Sequence, residues 1–89
     1  MTLKIETHRR GSATVIRLIG RVRGEHVREL EALMKTSVND VALELREVTL
    51  VDAEVVAFLG SCAARAIPLV DCPTYIAEWI ASDRLAKDR

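Results

Sequence analysis

Residues 3–8 alternate between apolar and polar. Leu3, Ile5 and Thr7 point one way and Lys4 and Glu6 the other, which predicts a half-buried strand. Arg9-Arg10-Gly11-Ser12 is polar and glycine-bearing and predicts a turn. Residues 13–20 (Ala-Thr-Val-Ile-Arg-Leu-Ile-Gly) are largely apolar and rich in β-branched side chains, so the two segments predict a hairpin. Gly20 and Gly24 bracket Arg21-Val22-Arg23 and are expected to end the second strand. Val27, Leu30, Met34 and Val38 then recur at spacings of three and four, with Leu33 beside them. Glu25, Arg28, Glu29, Glu31 and Lys35 take the other face. That is an amphipathic helix of roughly three turns, which Asn39-Asp40 is expected to stop.

The run at 41–45 (Val-Ala-Leu-Glu-Leu) predicts a central strand buried on both sides. Val48, Leu50 and Val51 carry apolar character through what reads as a connecting loop. Asp52 precedes residues 53–66, which are apolar almost all round. Asp52 suits an N-cap, and Glu54 in the first turn suits the positive end of the helix dipole. Such a helix must be buried on more than one side, against the sheet and a neighbouring helix. Residues 67–71 (Ile-Pro-Leu-Val-Asp) predict a short strand with Pro68 at its start or on an edge. Pro73 is expected in the first turn of a last helix whose buried stripe is Ile76, Trp79 and Ile80, with Arg84 to Arg89 as a fraying tail. The order β-β-α-β-α-β-α over residues 1–89 implies one α/β domain. Its small mixed sheet has a parallel core, an antiparallel first strand at the edge, and helices packed on it.

Composition narrows what such a domain does. The chain is 49% hydrophobic but only 3% aromatic, so Val, Leu, Ile and Ala must fill the core around Phe58, Tyr75 and Trp79. Thirteen basic residues balance thirteen acidic ones, which argues against nucleic-acid binding. No apolar run approaches a membrane span. No signal-peptide pattern precedes the first strand. Two cysteines, Cys62 and Cys72, are too few for a disulfide scaffold, so the expectation is a cytoplasmic protein with free thiols. Cys62 reads as a core residue. Cys72 precedes Pro73 at a helix start, where a thiolate gains some stabilisation. His8 and His26 fall at the ends of different elements with no metal-ligand spacing, and no cofactor motif is present. Gly20-Arg-Val-Arg-Gly24 lacks the Lys-Ser/Thr of a phosphate loop, and no nucleophile stands in a relation to a base. The expectation is a non-enzymatic domain.

Three segments carry a resemblance to a known family. Residues 14–20, 41–52 and 69–73 resemble the second strand, the strand and loop ending in Asp, and the last strand and turn of the STAS domains. That group contains bacterial anti-sigma-factor antagonists and the cytoplasmic domains of sulfate transporters. The resemblance runs from about Ala13 to Trp79. It implies the mixed α/β fold above and a regulatory role in contacting a protein partner, an anti-sigma factor or kinase-like protein. In the antagonists the serine directly after the loop Asp is phosphorylated. Here Asp52 matches the Asp, Ala53 stands at the serine, Glu54 at the second serine and Val55 at the glycine. Glu44 replaces a strand Asp, Arg46-Glu47 replaces a Ser-Gly turn, and the passage from Ala66 to Ile67 is short. The phosphoswitch therefore cannot operate at position 53.

The candidate partner-binding residues are Asp52, Ala53, Glu54 and Thr49. Glu54 is either a dipole-complementing carboxylate or a fixed negative charge near the phosphate position. Thr49 is either a substitute acceptor or a loop residue bonding backbone. Trp79 is core or an anchor for a partner or a homodimer. The alternative function is a small-ligand or nucleotide-sensing domain of the same type.

Overall fold

The computed structural model describes residues 3–36 and 40–87. Along the chain run β1 (Lys4–Arg10), β2 (Ala13–Val22), a 3-10 turn (Gly24–His26), α1 (Val27–Lys35), β3 (Asp40–Val51), α2 (Ala53–Ala64), β4 (Leu69–Val70) and α3 (Thr74–Lys87). The four strands form one sheet in chain order. β1 pairs antiparallel with β2, while β2–β3 and β3–β4 are parallel. This is the mixed α/β architecture and element order that the patterning implies, with β1 as the antiparallel edge strand. Lys4, Arg9 and Arg10 on that edge discourage a second strand from pairing with it.

One face of the sheet makes the core. Ile16, Leu18, Leu43 and Leu45 pack with Leu30 of α1, with Val55, Val56, Phe58, Leu59 and Cys62 of α2, and with Ile76 and Ile80 of α3. Leu3, Ile5 and Leu69 extend the same face. The other face carries no helix. There Arg17 Nε donates to both carboxylate oxygens of Glu44, at 3.1 and 3.3 Å, and Glu6 bridges Arg17 and Lys4 at 3.8 and 3.3 Å. Glu44 above all, with Glu6 behind, raises the Arg17 pKa, so the guanidinium stays charged. The expectation that β3 is buried on both sides is thus corrected. Glu44 faces outward, and the short apolar run at 41–45 mimicked a doubly covered strand because Ala42 and Val41 are tolerated on either side.

β3 is also far longer than its predicted five residues, and the segment read as a connecting loop is strand. Two irregularities hide it. Arg17 pairs with Glu44 but Ile19 pairs with Glu47, and Gly20 pairs with Val48 but Arg21 with Leu50, so β3 twice spends an extra residue. Each β-bulge shifts the alternation by one. The buried positions of β3 therefore fall at Leu43, Leu45, Val48 and Val51, a spacing with no period of two. The Arg46-Glu47 pair lies at the first bulge rather than in a turn. Opposite the second, Gly20 adopts φ +97°, a conformation costly for any side chain. This lets β2 continue two residues past the glycine expected to end it.

Boundaries elsewhere shift for local reasons. Arg9 and Arg10 belong to β1, leaving Gly11 and Ser12 as the hairpin turn. Asp40 opens β3 instead of stopping α1, while Val38 and Asn39 lie outside the described residues. Pro73 stands just before α3 and its carbonyl accepts the amides of Ile76 and Ala77. The expected tail from Arg84 is helical to Lys87, with the Arg84 stem near Gly60 of α2. Trp79 does not belong to the buried stripe. Ile76 and Ile80 are covered, but Trp79 is 38% exposed because it lies on the flank of α3 away from the core.

The short passage after α2 closes without glycine. Ile67 N donates to Cys62 O and Ala66 N to Ala63 O, the two bonds of a Schellman cap, and Ala66 takes the left-handed conformation at φ +62°. An alanine there is strained by about 1 kcal/mol. Ala66→Gly should raise stability by no more than about 0.5 kcal/mol after allowing for glycine's greater chain entropy. Urea denaturation would read this as a higher midpoint at unchanged slope.

Candidate functional site at the start of α2

Asp52 follows the end of β3 with extended backbone (φ −110°, ψ 178°) and caps α2. Its Oδ1 accepts from Val55 N at 3.0 Å, satisfying one amide of the first turn. Its Oδ2 accepts from Gly24 N at 2.8 Å, reaching across to the turn that follows β2. One carboxylate thus ties the start of α2 to the start of the 3-10 turn. The Gly24 amide, more than that of Val55, holds the Asp52 carboxyl below its ordinary pKa, against a smaller opposing effect of desolvation. Asp52 is the N-cap that the sequence implies, and both of its oxygens are engaged internally.

The 3-10 turn is closed from its own side as well. His26 N donates to Arg23 O at 2.8 Å and Arg23 N donates to His26 Nδ1 at 3.0 Å. The second contact requires a neutral imidazole with its proton on Nε2. A reciprocal bond of this kind has no sequence signature beyond the three-residue spacing of His26 from Arg23.

Ala53 and Glu54 are exposed at the start of α2. Glu54 folds toward the turn, and its carboxylate lies against Gly24. A β-carbon on Gly24 would collide with that carboxylate and approach Glu54 Cβ to 3.0 Å. Gly24 was read as a strand breaker, but its second function is to admit this close approach. The colliding atoms are the far end of an exposed, flexible side chain that can swing aside, so Gly24→Ala should destabilise the domain by no more than about 1 kcal/mol. Adding Glu54→Ala should recover most of that loss in a double-mutant cycle. Equal losses in the single and double variants would show that backbone conformation, not the Glu54 side chain, sets the cost. Beside the pair runs a shallow groove of about 670 Å³, lined by Gly24, Glu25, Val27, Arg28, Glu31 and Glu54.

Thr49 is on β3, not in a loop. Its carbonyl accepts from the Tyr75 hydroxyl at 3.1 Å, which fixes the first turn of α3 beside the end of β3. Tyr75 and Leu50 are 46% and 52% exposed, so both add apolar surface at this end of the molecule. The apolar character of Leu50 beside Asp52 is evident from sequence, but its outward direction depends on the second bulge.

The remaining chemical candidates lie elsewhere. Cys62 is fully buried in α2, and burial pushes its thiol pKa up despite the nearby Arg65. Cys72 was expected to gain thiolate character from the start of α3. Instead burial raises its pKa, and its thiol donates to Pro73 O at 3.6 Å, so that expectation is corrected. Both cysteines are free thiols. Among the described residues no helix is long and apolar enough to cross a membrane, and no three His, Cys, Asp or Glu side chains are grouped to hold a metal ion. Compared with known proteins, the chain matches no protein-family model and no curated protein.

Proposed function

We propose that this domain is a non-catalytic interaction module, resembling the anti-sigma-factor antagonists of the STAS group, and that it meets a protein partner through the start of α2. One observation carries the reading. Asp52 places both carboxylate oxygens on backbone amides from two different elements, Gly24 and Val55. The Ala53–Glu54 shoulder is therefore presented on backbone held from both sides, and a surface already in its bound shape loses little entropy on association.

In this reading Asp52 positions the surface, while Ala53 and Glu54 form it. Alanine at position 53 has no hydroxyl to phosphorylate, and Glu54 supplies a fixed charge. The acidic groove beside it, with Glu25 and Glu31, favours a partner that is basic where it meets the domain. The surface acts as a constant one, because position 53 has no hydroxyl through which phosphorylation could switch it. Calorimetric titration with an anti-sigma-type kinase of the host would test this. Glu54→Ser should weaken binding about tenfold, in line with loss of one partly desolvated charge contact. Ala53→Ser should leave affinity unchanged until the new serine is phosphorylated. Unchanged affinity in Glu54→Ser would overturn the reading.

A further inference from the structure

We draw no further inference here: the strongest candidate, the exposed apolar flank of α3 formed by Tyr75 and Trp79, carries nothing because nothing in the structure shows what covers it.

Discussion

Leu43→Ala should destabilise the domain by about 2–5 kcal/mol, whereas Leu50→Ala should change stability by no more than about 0.5 kcal/mol. Both leucines lie on β3, seven residues apart, yet Leu43 is fully covered and Leu50 is 52% exposed. Leu43 sits under the helices among Ile16, Leu45 and Leu59, so truncation leaves a cavity that the surrounding strands cannot close. Domains of this size have only about 5–15 kcal/mol in total. Each kilocalorie lowers the melting temperature by roughly 4–8 °C, so the Leu43 variant should melt about 8–40 °C lower. Thermal unfolding followed by circular dichroism checks both variants. A comparable loss at Leu50 would mean that the second bulge does not turn that side chain outward.

The second large effect is expected at Asp52. Asp52→Ala removes the cap of α2 and the anchor of the 3-10 turn together, and should cost about 1–2 kcal/mol, the upper part of the range for cap loss. Asp52→Asn keeps a capping oxygen but has only one acceptor atom for two amides, so it should fall between alanine and wild type. The pH dependence has a definite sign. The folded carboxyl is held below its ordinary value, which is about 3.9 for a free aspartate. Its contribution is therefore fully present above that value and is lost as pH falls through the lower folded one. Wild type should lose stability more steeply than Asp52→Asn as pH drops below about 4, while the two curves run parallel at neutral pH. Urea midpoints measured at intervals from pH 7 to pH 2.5 would show this, and parallel curves throughout would remove Asp52 from the acid transition. Amide exchange at Gly24 gives a local reading, because its protection depends on the same carboxylate.

These effects also mark how far the chain can be read without its fold. The amphipathic stripe of α1 from Val27 to Met34, the all-round apolar α2, and the aspartate before it were legible because helix periodicity and capping chemistry are local. So was the hairpin of β1 and β2, and with it the edge position of β1. The extent of β3 was not. A bulge changes the side-chain period without changing residue type, and its position depends on the partner strand, which sequence spacing does not reveal. Trp79 failed for a related reason: a helix packed at the outside of a two-layer fold has a flank that periodicity marks as apolar but no second layer covers.

The class of fold, the order of its elements, the cap at Asp52 and the absence of a hydroxyl at Ala53 are all legible in the chain alone. Each follows from residue identity or from spacings within one element. Long-range packing is what brings Asp52 to Gly24, 28 residues away, and lays Glu54 over that same glycine. The tertiary structure likewise decided that Tyr75 fastens α3 to the end of β3. The contacts of Asp52 and Glu54 with Gly24 join elements that meet because parallel pairing brings the ends of β2 and β3 side by side. No local propensity encodes that meeting, since its geometry is set by the packing of the whole core.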